Sequence, residues 1–437
     1  MRWVKMKLGD VIKNREGRYK PNGPTIAGLK RIDKINFSGQ IFLSDKSSNT
    51  DMILIKKGDL VISGINVEKG ALAVYEGEED ILATIHYSSY IFDTDKIDID
   101  FLKVFLRSPD FIQLLKEQVP GGIKTEIKPK HILPLEVYFP ETTKEQKAIA
   151  LHFFEKEAKF NQLNEHISYQ LTQLDNLNQA ILQEAVQGKL VKQDPKDEPA
   201  SELLKRIKAE KAKSGKKEKP LPPIKPEEIP FEIPENWVWC RLGEIAKQIN
   251  DGTHHTPKYV KEGVPFLSIK DISGGKIDFS NTKFITKEEH LELIKRCNPE
   301  RNDILFCRIG TLGRPSIIET DIEFSIFVSL GLIKTYFNIY EVRYLKYLLE
   351  SPLLYYQYQK IKADGIHTPK LNLRDVPNLL IPLPPLSEQK RIVAEIEKQL
   401  ANTKQLKEHI IANQHATEQL LKALLHQAFE VRESETV

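Results

Sequence analysis

Cysteine is scarce: Cys240, Cys297 and Cys307 are the only three in 437 residues. None sits at the paired spacing of a zinc site, and so few fit a reducing compartment. Long apolar runs are missing too. No stretch of about eighteen apolar residues appears, so no membrane span is expected. The opening "MRWVKMKLGDVIKN" has no apolar signal-peptide core, which points to the cytoplasm. Neither sign of charge dominates. The net value of +3 neither announces nor excludes nucleic acid, because a local basic face can be hidden in the sum. Catalytic signatures are also lacking: no Walker-type phosphate loop, no Asn-Pro-Pro-Tyr tetrapeptide and no Gly-x-Ser-x-Gly elbow. His254 and His255 are adjacent, so in an extended segment they point opposite ways and make a poor metal pair.

What is present has the composition of a soluble globular protein, 40% hydrophobic and 29% charged. The length calls for two or more domains. Their arrangement follows from an internal repeat. Glu145-Gln146-Lys147 matches Glu388-Gln389-Lys390, a shift of 243 (388 − 145). The same shift carries Leu163, Glu165, His166 and Ile167 onto Leu406, Glu408, His409 and Ile410. Upstream it carries Ser108-Pro109 onto Ser351-Pro352, Gly122-Ile123 onto Gly365-Ile366 and Thr125 onto Thr368. Near the start of each half it drifts: Trp3, Leu8 and Gly9 resemble Trp237, Leu242 and Gly243 at a shift of 234 (237 − 3).

Each half ends in a helical pattern. Ile149, Phe153, Phe160, Leu163, Ile167, Leu174, Leu177, Ile181 and Ala185 recur at spacings of mostly three and four, one face of a long helix. Their equivalents are Ile392, Ile396, Thr403, Leu406, Ile410, Thr417, Leu420, Leu424 and Ala428. About forty residues at about 1.5 Å each give roughly 60 Å of helix. Such a helix with a narrow apolar seam wants a partner, and the other copy is the obvious one, in an antiparallel pair. Gln170 and Asn413 share one seam position (413 − 170 = 243) and are candidates to fix the register.

The front of each half mixes short apolar runs, such as "MILI", "DLVISGI", "VPFLSI" and "DILFCRIG", with helical patterns at "DIDFLKVFLRSPDFIQLLKEQ" and "YEVRYLKYLLESPLLYYQYQKI". The fold class is therefore α+β, two pseudo-repeated mixed α/β domains joined by two long helices that form an antiparallel coiled coil. Between the halves, 201–213 can form a polar helix. The Lys- and Pro-rich "KSGKKEKPLPPIKPEE" reads as an exposed connector. Polar loops rich in Lys, Arg, His, Asn and Thr lie among Gly and Pro, where they can approach a phosphate or a base edge. One acidic pattern, Pro109-Asp110 followed by Glu126-Ile127-Lys128, formally fits a Mg-dependent nuclease. The second half breaks it, with Leu353 and Pro369 at the matching positions.

"NLLIPLPPLSEQKRIVAEIEKQL" resembles the junction between a target-recognition domain and its following helix in the specificity subunits of type I restriction–modification systems. "EIPENWVWCRLGEIAKQINDGTHHTP" is similar to the opening of such a domain, and "RNDILFCRIGTLG" to its mid-domain strand and loop. The first half matches more loosely, through "GDLVISGINVEKG" and "LPLEVYFPETTKEQ". The resemblance covers nearly the whole chain. It implies recognition domains at 1–141 and 236–384, spacer helices at 142–187 and 385–430, a connector at 188–235 and a tail at 431–437.

In function it implies a non-catalytic subunit. Each domain would read one half of a bipartite site in double-stranded DNA. The helices would set the gap and dock two adenine-methyltransferase subunits, with restriction motor–nuclease subunits joining for cleavage. The chain itself would hold no cofactor or metal; S-adenosylmethionine, ATP and Mg would sit on the partners. The residues expected at DNA are Lys20, Asn22, Lys30, Arg31 and Lys124 in the first domain. In the second they are Thr253, His254, His255, Lys258, Arg308, Arg314, His367 and Lys370. Two alternatives stay open on the residues alone: the nuclease with Asp110, Glu126 and Lys128, and a helical scaffold without a DNA role.

Overall fold

A computed structural model describes residues 2–21, 23–36, 39–46, 48–66, 71–118, 126–213, 220–273, 275–363 and 368–429. The chain forms two compact units, Met1–Tyr169 with Ile410–Val437, and Gln170–His409. Each unit holds one mixed domain and part of both long helices.

In the first unit, Trp3–Lys7 pairs antiparallel with Glu136–Pro140. One sheet runs Ile12–Asn14, Tyr87–Phe92, Leu60–Ser63, Leu72–Val74, all antiparallel. A second runs Ile41–Ser44, Arg31–Ile35, Ile81–Thr84, Met52–Ile55, with its middle pair parallel. The second unit repeats this plan. Val238–Arg241 pairs with Leu380–Leu383. One sheet runs Gln248–Asp251, Leu330–Lys334, Ile304–Cys307, Gly313–Ile317. The other runs Lys283–Ile285, Val264–Leu267, Ser325–Ile326, again with one parallel pairing. Strand order thus survives where residue identity drifts, because a strand needs only apolar residues on its buried face.

The matched residues mark backbone constraints. Ser108 and Ser351 are buried, and each hydroxyl accepts from a backbone N–H three residues on, Phe111 at 3.2 Å and Leu354 at 3.5 Å. A proline follows each as the first helical residue, where its missing N–H costs nothing. Gly9 and Gly243 lie under close neighbours. An added Cβ would stand 3.0 Å from the Leu133 carbonyl oxygen or 2.9 Å from Pro377 Cβ.

Gln146 and Gln389 explain the repeated Glu-Gln-Lys. Both are fully buried. The Gln146 amide donates to the Pro140 carbonyl at 2.9 Å, and its carbonyl oxygen accepts from Asp98 N at 2.8 Å. The Gln389 amide donates to the Pro384 carbonyl at 2.8 Å and accepts from Glu341 N at 3.0 Å. Asp98 and Glu341 are the N-caps of helices Ile99–Leu106 and Val342–Glu350. Each glutamine therefore ties the start of a long helix to the same helix end of its own domain.

The long helices are Thr143–Val186 and Leu386–Phe429, 44 residues each, or about 66 Å at 1.5 Å per residue. In the first unit Ala150 and Phe153 share a core with Leu421, Leu425 and Phe429. In the second, Ile181, Leu182 and Ala185 share one with Ile392, Val393 and Ile396. Within each unit the start of one helix meets the end of the other, so the packing is antiparallel. The seam is narrower than the spacing implies. Leu163 (43% exposed) and Leu177 (47%) stand out of it, as do their equivalents Leu406 (50%) and Leu420 (59%). Three–four spacing marks a wide face, and one partner helix covers only a stripe of it. Gln170 and Asn413 are both exposed, which removes the burial that a register role requires. The polar contact in the seam is instead Thr403 Oγ1 to Asn178 Oδ1, 2.7 Å, with Lys407–Asp175 at 3.1 Å outside it.

The helix expected at 201–213 forms, and the Lys- and Pro-rich stretch after it is mostly exposed where it is described, at 220–228. Helix Ala200–Lys213 buries Leu203, Leu204 and Ile207 in the core of the second unit. Lys211 caps the carbonyls of Gly243 and Ala246 at 2.6 and 3.1 Å. Further on, buried Arg241 forms a two-pronged pair with Glu228, at 2.8 and 2.9 Å. Three apolar residues on one face suffice to dock a helix that is otherwise charged.

In the first unit Phe429 completes an aromatic cluster with Phe101 and Phe105, at centroid distances of 5.6 and 5.3 Å, and Phe139 lies 4.9 Å from Phe105. Replacing Gln389 by Leu should leave the Glu341 N–H and the Pro384 carbonyl without a partner. We expect a loss of about 3 kcal/mol, since each orphaned buried group costs roughly 1–3 kcal/mol. Urea unfolding read through Trp237 and Trp239, which lie in the same unit, checks this.

Candidate nucleic-acid interface

The second domain gathers its expected residues around one buried acid. Asp251 ends strand Gln248–Asp251 and is 2% exposed. Its carboxylate accepts from Arg308 and Arg296, while His254 Nε2 lies 2.9 Å away. Arg296 also donates to the Gly252 carbonyl at 3.2 Å. Burial pulls the Arg308 guanidinium below its ordinary value, and Asp251 opposes that shift. Arg308 is only 3% exposed, so it is not open to DNA as expected; its Nε and Nη1 bond Asp251 and backbone carbonyls.

Around this centre His254, His255, Lys258 and Arg314 face outward, whereas Thr253, also expected at DNA, is buried. His254 and His255 are exposed, and His255 Nδ1 lies 2.8 Å from the buried Thr253 hydroxyl. Lys258 is exposed and has no ion-pair partner among the described residues. Arg314 is exposed at φ +46, just after Gly313 at φ +82, in a loop that left-handed backbone turns sharply. Lys370 is half-buried and belongs to the strand pair Lys362–Ala363 and Lys370–Leu371. That pair docks on the Arg308 loop through Gly310 N to Pro369 O at 2.9 Å and Leu371 N to Arg308 O at 2.8 Å. His367 lies outside the described residues.

The first domain places Lys20 and Lys30 on the surface, Lys20 with Asp51 at 3.2 Å. They flank a loop pinned from below by Ile26, Met52 and Leu82. Arg31 is mostly buried, and its Nε donates to the Lys46 carbonyl at 3.2 Å. Asn22 and Lys124 lie outside the described residues. A buried acid recurs here as well. Asp59 and Asp303 occupy matching positions (303 − 59 = 244). Asp59 holds Arg15 at 2.7 Å and Ser89 at 2.8 Å, while Asp303 holds Lys334 at 2.9 Å.

The nuclease pattern does not assemble. Asp110 is bonded to His426 at 2.8 Å. Glu126 is bonded to His86 at 2.8 Å and paired with Lys128 at 3.4 Å. Burial raises the Glu126 carboxyl, but the hydrogen bonds from His86 and Lys128 win and hold it below its usual range. Among the described residues no group of three His, Cys, Asp or Glu could hold a metal ion. Sequence reasoning missed Asp251 and Arg296. Asp251 adjoins the Gly252–His255 loop and was within reach, but nothing in the sequence signals Arg296, 45 positions away (296 − 251).

Residues 234–413 match the family described as "Type I restriction modification DNA specificity domain". The matched stretch holds the second mixed domain and the start of its long helix, and there the chain is similar to type I restriction–modification specificity subunits. Over 249 residues it is 36% identical to the type I restriction enzyme EcoAI specificity subunit of Escherichia coli, covering 54% of this chain and 41% of that one. The chain spans half or less of the length of the curated relatives it matches first. Two solved chains share this fold. One comes from a study of complex assembly and conformational transition of the type I R-M system, with TM-score 0.62, 16% identity and 98% of both chains covered. The other is the HsdS subunit from Thermoanaerobacter tengcongensis, with TM-score 0.50, 18% identity, and 98% and 96% covered. Among the described residues no helix is long and apolar enough to cross a membrane.

His290 holds helix Lys287–Ile294 to strand Ser325–Ile326 through Ser325 Oγ at 2.9 Å. Burial lowers its pKa from 6.5; Lys287 adds to the shift and Glu323 opposes it. The unfolded state therefore takes up a proton first. Stability is intact above pH 6.5 and falls as pH drops from there through the lowered folded value. His290→Gln should flatten this decline in melting temperature, measured by calorimetry on either side of pH 6.5.

Proposed function

We propose that this chain is the DNA-reading subunit of a type I restriction–modification complex. Each mixed domain reads one half of a bipartite duplex site. The observation that carries this is the duplication: two domains of one strand order, each bound by a buried glutamine to the start of its own long helix. The exposed Lys20, Lys30, His254, His255, Lys258 and Arg314, with the half-buried Lys370, offer phosphate and base-edge contacts from loops and strand ends. In sequence Asn22 lies beside Lys20 and His367 beside Lys370, and Lys124 is the repeat equivalent of His367 (367 − 124 = 243).

The helices set the gap between half-sites and dock two methyltransferase subunits. Support for docking comes from the exposed leucines, which occur as matched pairs, Leu163 with Leu420 in one unit and Leu177 with Leu406 in the other. Two equivalent surfaces suit two copies of one partner. The chain performs no chemistry itself. S-adenosylmethionine, ATP and Mg are held by the methyltransferase and the motor–nuclease subunits.

Long-read mapping of adenine methylation, in cells co-expressing this chain with its methyltransferase, tests the proposal. The expected result is a two-part motif with a fixed unspecified gap, lost when this chain is omitted. No motif, with the complex formed and folded, would count against DNA reading. A second measurement separates phosphate from base contacts. Lys258→Ala should weaken duplex binding at every sequence and lower the slope of log affinity against log salt by about 1. An altered motif instead would make Lys258 a base reader.

A further inference from the structure

Arg308 stands at the centre of the second domain's loop cluster yet is closed to solvent. Its guanidinium bonds Asp251, reaches the Val328 carbonyl at 3.3 Å and donates from Nε to the Leu371 carbonyl at 3.2 Å. Its backbone joins the same places: its N–H donates to the Ser329 carbonyl at 3.1 Å, and its carbonyl accepts from Leu371 N at 2.8 Å. One residue thus locks three segments. These are the loop after Gln248–Asp251, the turn before Leu330–Lys334, and the strand pair ending at Leu371.

Two polar candidates, the exposed His254 and the half-buried Lys370, hang from those segments. His254 bonds the same Asp251 carboxylate from outside, and Lys370 directly precedes Leu371. A buried acid left with fewer donors would draw its surface neighbours inward, because an uncompensated buried charge is costly. The first domain solves this position differently. Gly64 stands where Arg308 does (308 − 64 = 244), and the backbone bond persists as Ile127 N to Gly64 O at 2.9 Å. A Cβ there would meet the Ile127 oxygen at 2.5 Å, so no side chain fits. The arginine is a device of one domain, not of the repeat.

We propose that Arg308 is a positioning residue for base recognition by the second domain: through Asp251 and Leu371 it sets His254 and Lys370 at the DNA without touching DNA itself. This rests on the DNA-reading proposal above. Methylation is mapped at base resolution in cells co-expressing the methyltransferase with the wild-type full chain, Arg308→Leu or Arg308→Lys. Arg308→Leu is expected to leave one half-site unchanged and to make at least one fixed base of the other degenerate. Arg308→Lys keeps a charge beside Asp251 and should restore part of the lost discrimination. The unchanged half-site reports that the chain folds and assembles. An unaltered motif with Arg308→Leu overturns the inference. So does equal relaxation of both half-sites, or loss of all methylation in both variants, since the arginine would then serve the whole fold. Absence of any two-part motif with the wild-type chain overturns the recognition proposal, and this one with it.

Discussion

Gln146 and Gln389 carry the constraint on which the rest of the architecture depends. A long helix leaving a domain can pivot about its first turn unless something bonds the two sides at once. The buried carboxamide does so, because it donates and accepts in one plane. One edge takes a carbonyl of the proline segment leading into the helix, and the other takes the N-cap N–H of a domain helix. Neither partner could find water there, so each bond is costly to break. The domain's orientation on its helix is thereby written into a single side chain, twice.

The two domains share strand order but differ in their polar interiors. Asp59 meets an arginine from the end of the first strand of its sheet; Asp303 meets a lysine from a neighbouring strand. Position 64 is a glycine pressed against backbone, while position 308 is an arginine that bonds three segments. A common scaffold with divergent loop anchors is what the proposed reading of two different half-sites would require.

Local signals in the sequence revealed much of this. The Ser-Pro pairs mark a constraint that acts within a few residues, while the Leu-Gly and Glu-Gln-Lys pairs mark contacts farther along the chain; each recurs in space as it does in the sequence. The α+β class and the two long helices followed from periodicity. Long-range pairing was illegible. Arg308 was expected at the surface because glycines flank its loop, yet Asp251, 57 positions earlier (308 − 251), draws it inside. Gln170 and Asn413 share a repeat position but face water, and the polar seam contact fell to Thr403 and Asn178, whose meeting depends on helix phase. Helix Ala200–Lys213 was legible as a polar helix, but its docking through Leu203, Leu204 and Ile207 was not, because its charges outnumber them.

Phe429 closes the aromatic cluster of the first unit, although it follows Phe105 by 324 positions (429 − 105). The order of synthesis is therefore not the order of completion. At about 5–20 residues per second, the first domain waits on the order of tens of seconds for the helix that finishes its core. The second unit, a continuous stretch from Gln170 to His409, is complete before then. During that interval Phe101 and Phe105 lack the ring of Phe429 and present an unfinished apolar face.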